Sequence, residues 1–337
     1  MMPSDGGPTA PSAGRDSMRG MIRFAANLGF LWADRPLPDA IVAAAAAGFD
    51  AVECHMPYDY EPSAVVDALS ATGMVMLGLN TDHSGPEFGL AAVVGRETEA
   101  REHLDQAVAY SLAIGCPTVP VMAGRTDGGP AAEGIYREAL ADAAEKAAAC
   151  DLTLLIEPIT HTAVDGYHLR TVDHAIGTLD ALAAAGVPDR IRVIVDVFHV
   201  ADVEHDVLNA VWRLGDYLGH VQIAAYPDRG EPDRGELDMS TLVPAIMDTG
   251  YQGAFGAEYR PRGDLEAGLS WLEPWHRARG ETVEPLDGQH ETDRRGDRWG
   301  TGHRSSRCRG TLCRRLDRRG LWSHRRRPGR HSGLDGR

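Results

Sequence analysis

Residues 153–196 read TLLIEPITHTAVDGYHLRTVDHAIGTLDALAAAGVPDRIRVIVD. A short apolar run, Thr153 to Ile156, stops at an acid, Glu157; an Ala- and Leu-bearing helical stretch, Val172 to Ala184, follows; a second apolar run, Ile191 to Val195, stops at Asp196. That is strand, helix, strand, the size of one βαβ unit. The rhythm continues outward in both directions. On the N-terminal side lie runs at Ile22–Ala26, Ala51–Cys54, Val75–Leu79 and Thr118–Met122. Their helices are one opened by Pro38-Asp39 and closed by Gly48, then Pro62–Ala71, Glu97–Ile114 and Ala131–Ala149. On the C-terminal side a helix near Glu204–Leu214 follows Ile191–Val195, then Gly219–Ile223 leads to Ser240–Asp248 and Ala254–Glu258 to Leu265–Leu272.

Eight strand-then-helix units of about 30 residues predict a single α/β domain, a closed (β/α)8 TIM barrel. An open doubly wound sheet is the alternative. The count closes at eight, and no G-x-G-x-x-G fingerprint follows the first strand, so the barrel is preferred and a dinucleotide site is not expected. The expected organisation is a disordered leader at 1–20, rich in Ser, Pro and Gly, a barrel at 21–276, and an Arg-rich tail at 277–337. The tail lacks periodicity and reads as an unselected extension rather than a basic arm; truncation at Arg277 is expected to leave the barrel intact. Met18 or Met21 is the expected functional start.

Of 337 residues, 43% are hydrophobic and 25% charged, which is ordinary globular composition. The net charge of −15 averages two unlike segments. Residues 277–337 hold 17 Arg against 8 acids, a net of +9, leaving residues 1–276 with 17 Lys and Arg against 41 acids, a net of −24. Such a body repels phosphate backbones, so no nucleic acid and no anionic membrane is expected as a partner of the barrel. The apolar runs are far below the ~20 residues of a membrane span. The leader lacks the apolar segment of a secretory signal. Cys54, Cys116, Cys150, Cys308 and Cys313 show no paired spacing, which fits a reducing, cytoplasmic compartment.

In a barrel the C-terminal strand ends converge, so polar residues that close an apolar run are the candidates for chemistry. Four come from strands 5 to 8: Glu157, Asp196, Gln222 and Glu258. Any one alone reads as a helix cap or a solvent-facing acid. Three carboxylates and an amide oxygen together repel one another unless a cation sits among them, and an oxygen-only set suits Mg²⁺ or Mn²⁺. His199, three residues after Asp196, is placed to ligate the ion or contact a substrate oxygen; Arg229, after strand 7, is suited to grip a substrate carboxylate. His55, after strand 2, is placed to line the same mouth.

Residues 21–275 resemble the hydroxypyruvate isomerase family of xylose-isomerase-like TIM barrels. The matching segments include RFAANL at 23–28, PYDY at 57–60, IEPI at 156–159, GYHL at 166–169, DVFH at 196–199, HVQIA at 220–224, RGEP at 229–232 and GAEY at 256–259. The resemblance implies that Glu157 and Glu258 are an acid/base pair and that, with Asp196 and Gln222, they hold the metal. It implies hydroxypyruvate to tartronate semialdehyde isomerisation through an enediolate, with a 2-oxo-tetronate or keto-sugar isomerase or epimerase as the alternative. A metal-dependent phosphodiesterase and a non-enzymatic binding module are remote readings. The expected partner is a small 2-oxo acid or keto sugar, with a homo-oligomer left open. The loop Asn80–Gly85 and the pair Ala225-Tyr226 depart from the family pattern, which bears on substrate identity.

Overall fold

In each strand of the computed structural model, which describes residues 22–280, alternate side chains face opposite ways, toward the helices or into the barrel bore. The strands are β1 Phe24–Asn27, β2 Ala51–Cys54, β3 Met76–Leu79, β4 Thr118–Pro120, β5 Thr153–Ile156, β6 Ile191–Asp196, β7 Leu218–Ile223 and β8 Phe255–Ala257. They pair in chain order, all parallel, and β1 closes on β8. The described helices are α1 Leu37–Ala46, α2 Pro62–Thr72, α3 Glu97–Ile114, α4 Pro130–Cys150, α5 Val172–Ala184, α6 Val197–Glu204, α7 Val207–Leu214, α8 Met239–Asp248, α9 Leu265–Gly268 and α10 Glu273–Ala278. The TIM barrel read from the sequence is the fold observed.

The helix-facing positions build the main core. Phe24, Leu154, Ile156, Val193, Val195, Val221, Ile223 and Phe255 are buried in it with the inner faces of the helices. Local chemistry sets the helix ends. Proline opens α1, α2 and α4, where its missing N–H has no partner to lose, and left-handed Gly73 and Gly115 close α2 and α3.

Beyond shifts of one or two residues at strand ends and a 3-10 turn at Leu269–Leu272 in place of continued α-helix, two elements differ from expectation. The single helix expected at 204–214 is the second of a pair. His205 adopts a left-handed backbone (φ 61°) that stops α6, and Asp206 restarts the chain by accepting a hydrogen bond from Asn209 N as the cap of α7. β4 ends at Pro120 rather than Met122: Val121 N still bonds Leu155 O of β5, but side-chain hydroxyls take the two donors after it, Met122 N bonding Thr81 Oγ1 and Ala123 N bonding Tyr167 Oη.

The expected boundary at 276 falls short. α10 runs to Ala278, and Arg279 Nη1 reaches both oxygens of Asp50 at 2.7 and 2.8 Å with its side chain only 8% exposed. Asp50 Oδ2 also accepts from Phe24 N at the base of β1. The readings of the leader and of residues 281–337 lie outside the described residues. Replacing Arg279 with alanine strands Asp50, and should cost about 2 kcal/mol and lower the melting temperature by roughly 4–8 °C. An unchanged melting curve for R279A would show that the barrel ends where the sequence suggested.

Candidate active site

The bore-facing positions form two layers. The lower is small and apolar, built from Ala25, Ala51 and Ala254 with Leu77. The layer above is polar, since the same alternation puts Asn27 two residues after Ala25 and Glu53 two after Ala51. Register aligns these residues: Asn27 pairs with Glu53, Asp196 with Gln222, and Gln222 with Gly256. Gly256 is required there by space. A Cβ on it would come within 2.5 Å of Glu53 Oε1, so any side chain would displace the carboxylate.

Glu53 is the hub of this polar layer. It accepts from Asn27 Nδ2 (2.9 Å) and Gln222 Nε2 (2.8 Å) on one oxygen and meets His220 Nε2 at 2.7 Å on the other. The same Asn27 and Gln222 nitrogens donate to Glu258 Oε2, at 2.6 and 2.5 Å. Arg229 Nη2 bridges Glu258 Oε1 (2.6 Å) and Asp196 Oδ2 (2.7 Å). Asp196 Oδ1 caps α6 through Phe198 N at 2.8 Å, as the cap reading has it, which leaves Oδ2 facing the mouth with Arg229. His199, in the first turn of α6, sets its Nε2 3.5 Å from Asp196 Oδ2 and 3.6 Å from Glu157 Oε1.

Above these groups opens a chamber of about 280 Å³ whose walls include Phe30, His55, His83, Phe88 and Met122 as well as Glu157, Gln222, Arg229 and Glu258. That is below the usual range for drug-sized ligands and suits a substrate of a few carbons.

Burial governs the titration of this mouth. Glu157 is pushed well above the ordinary carboxylate range, first by burial and then by the neighbouring charges of Glu258 and Asp196. Burial works the same way on Glu53, but His220, Gln222 and Asn27 outweigh it and hold that carboxyl below its usual value. His199 is lowered to about 4, chiefly by burial, and His83 to about 4 by burial and by His55, so both imidazoles are neutral at physiological pH.

The structure gathers Glu157, Asp196, Gln222, Glu258, His199 and Arg229 at one mouth, with His55 Nε2 4.0 Å from Glu258 Oε2. It adds contacts to Arg229 that the sequence did not show. Expected to grip a substrate carboxylate, its guanidinium gives Nη2 to Asp196 and Glu258 and is buried between the rings of Phe30 and Phe198, at 5.0 and 5.3 Å, while Nε has no hydrogen-bond partner among the described residues and the residue lines the chamber. The reason is the path of the β7–α8 loop. Arg262 clamps it through Asp228 and Glu231, and Arg229 takes a left-handed φ of 56° that turns its side chain inward.

Sequence reading missed Asn27, Glu53, His220 and Arg260. Glu53 carried a signal, an acid inside the apolar run Ala51-Val52-Glu53-Cys54. Arg260, exposed at the chamber wall with its guanidinium 5.9 Å from the Phe30 ring, pairs with no carboxylate among the described residues.

A divalent cation fits this donor set. Glu157 Oε1 and the amide oxygen of Gln222 are buried acceptors with no hydrogen-bond partner, and the Gln222 nitrogen is occupied by Glu53 and Glu258. Glu157, Asp196 and His199 bring ligand atoms within 4.8 Å of one another.

The xylose isomerase-like TIM barrel family matches residues 41–275. The hydroxypyruvate isomerase of Escherichia coli is 33% identical over 261 residues, covering 76% of this chain and 100% of its own. The 2-oxo-tetronate isomerase of Cupriavidus necator is 40% identical over 262 residues, covering 76% and 99%. A crystal structure described as AP endonuclease, family 2, from Brucella melitensis superposes with a TM-score of 0.72 at 34% identity, covering 75% and 99%. The chain belongs to the hydroxypyruvate isomerase family of xylose isomerase-like TIM barrels. It is an isomerase of the aldose–ketose type.

The raised Glu157 gives the metal-free protein a pH signature. Unfolded, a glutamate ionises near about 4.3. Folded, Glu157 keeps its proton to higher pH, so the native state binds the extra proton and stability falls as pH rises through that window. Glu157→Gln removes the titration. As pH rises above the unfolded value, the melting temperature of the metal-stripped wild type should therefore fall relative to the variant. Parallel curves would show that Glu157 is ionised throughout.

Proposed function

We propose that the protein interconverts hydroxypyruvate and tartronate semialdehyde through an enediolate, with a four-carbon 2-oxo-tetronate as the alternative substrate. The observation that carries this reading is a pair of buried glutamates, Glu157 after β5 and Glu258 after β8, facing one small chamber from different strands of the ring. The names of the Escherichia coli and Cupriavidus necator relatives support it.

One carboxylate takes a proton from C3 of hydroxypyruvate, next to the C2 carbonyl, and the other returns a proton to C2. The hydroxyl proton on O3 leaves as the C3 aldehyde forms, and O2 gains one. The sum is a hydrogen shift with no outside oxidant or reductant. Positioned proton transfer of this kind typically contributes ~10²–10⁴-fold. Glu157, Asp196, Gln222 and Glu258 would hold Mg²⁺ or Mn²⁺, with His199 in reach, and that ion would supply Lewis-acid stabilisation of the developing oxyanion. Neutral His199 is suited to donate a hydrogen bond to a substrate oxygen, and the apolar rings of Phe30 and Phe88 limit water in the chamber. Arg229 holds Asp196 and Glu258 in place. The substrate carboxylate is assigned to Arg260, a cation at the wall that pairs with no carboxylate among the described residues.

Purified protein supplied with Mn²⁺ and hydroxypyruvate in D₂O should form tartronate semialdehyde with solvent deuterium at C2. E157Q and E258Q should each lose several orders of magnitude in kcat, and the double variant little more, because the two act as a unit. Near-normal turnover of both single variants at saturating metal would end this mechanism. Cleavage of an abasic DNA duplex without isomerisation would replace the reading outright.

The arginines separate by kinetics. R260A should raise KM roughly 10–100-fold with kcat nearly kept, the loss of one charge-assisted contact to a carboxylate. R229A should cut kcat instead. A KM effect confined to R229A would return the substrate contact to that residue.

A further inference from the structure

A second constellation lies outside the mouth and shares no residue with it. Glu133 stands in the first turn of α4, His174 in the first turn of α5, and His168 in the loop between β5 and α5. His168 Nε2 lies 3.1 Å and His174 Nε2 2.8 Å from the same oxygen, Glu133 Oε2. All three ligand atoms fall within 4.8 Å of one another, close enough for small side-chain adjustments to bring them around one ion at about 2.0–2.2 Å each.

The remaining polar atoms of two of these groups are already held. Glu133 Oε1 accepts from Arg137 Nε at 2.5 Å and Thr178 Oγ1 at 3.3 Å, which leaves Oε2 to the imidazoles. His168 Nδ1 meets Thr126 Oγ1 at 2.9 Å, and Tyr136 packs edge-on against its ring at 5.1 Å. Outer partners that fix ring and carboxylate orientation are the usual setting of a transition-metal ligand. His174 and Glu133 are partly open, which leaves a side for solvent to complete the shell.

We propose that Glu133, His168 and His174 bind one Zn²⁺-type ion as a structural staple. Two imidazole nitrogens and one carboxylate oxygen favour such an ion over Mg²⁺, the opposite preference to the oxygen-rich mouth. The staple joins α4, α5 and the β5–α5 loop. That loop is laced to the β4–α4 loop, with His168 N donating to Gly124 O and Thr126 N to Gly166 O, and it supplies Ile159, Ala163 and Val164 to the chamber wall. An ion here therefore steadies one wall of the mouth without touching the reacting atoms.

The test uses the full chain, stripped with chelator and then held in excess Mg²⁺ to occupy the mouth, with Zn²⁺ added by calorimetric titration. Wild type should bind one Zn²⁺ per chain and its melting temperature should rise. His174→Gln keeps a hydrogen bond to Glu133, so the metal-free variant should melt like wild type yet bind Zn²⁺ at least about 100-fold more weakly and show no rise. Thr126→Val, which removes only the bond to His168 Nδ1, should weaken binding about 10-fold. With Co²⁺ in place of Zn²⁺, wild type should show the visible absorption of an imidazole-ligated ion and His174→Gln should lack it. Zn²⁺ affinity and Co²⁺ spectra shared by wild type and His174→Gln, or no Zn²⁺ uptake by wild type, would show a hydrogen-bond knot only and overturn the proposal.

Discussion

Four carboxylates, Glu53, Glu157, Asp196 and Glu258, sit at one end of the barrel with at most 8% of each exposed. Burying one unpaired charge costs several kcal/mol, and four close together repel as well. The surrounding structure answers that constraint group by group. Glu53 has His220, Asn27 and Gln222; Asp196 has the start of α6 and Arg229; Glu258 has Arg229, Asn27 and Gln222. Glu157 Oε1 has no hydrogen-bond partner among the described residues, and burial with the neighbouring acids raises its hold on a proton.

Several features that look unrelated follow from that set. Gly256 must lack a side chain because Glu53 fills the space beside it. Arg229 must sit in a left-handed conformation because its guanidinium is needed in the bore while its loop runs over the rim. The clamp of Arg262 on Asp228 and Glu231 holds that loop down, and the bond from Arg260 N to Arg229 O links it to the segment after β8. Strand alternation lets these demands coexist with stability. Outward residues of the same strands carry the apolar core, so polar inward positions cost the core nothing.

The fold was legible because eight apolar runs separated by helical stretches leave few closures, and each run is a local signal. Glu157, Asp196, Gln222 and Glu258 were legible for the same reason, since each closes or lies within a run. Asn27 and Glu53 were hidden because their meaning is set by register across strands and, for Gln222 with Glu53, by a contact 169 residues apart. No window of sequence carries that. Arg229 was found without its contacts to Asp196 and Glu258, because its direction depends on a loop path fixed by Arg262, 33 positions later. The break between α6 and α7 was lost because it rests on one residue, His205, entering the left-handed region.

Charge balance at the mouth links proton and cation. Arg229 is one positive charge against Asp196 and Glu258, and Glu157 adds a third acid that burial and its neighbours keep protonated in the metal-free state. A divalent cation held there would reverse the sign of the field that Glu157 feels, so the cation and the proton would compete for the same carboxylate. Its binding would then release that proton, and its affinity would rise with pH across the range in which metal-free Glu157 is protonated. The same competition bears on the chemistry. A carboxylate whose proton affinity is set by neighbouring charges rather than by water is one whose proton can be moved by small changes in those charges, which is the property an acid/base group needs.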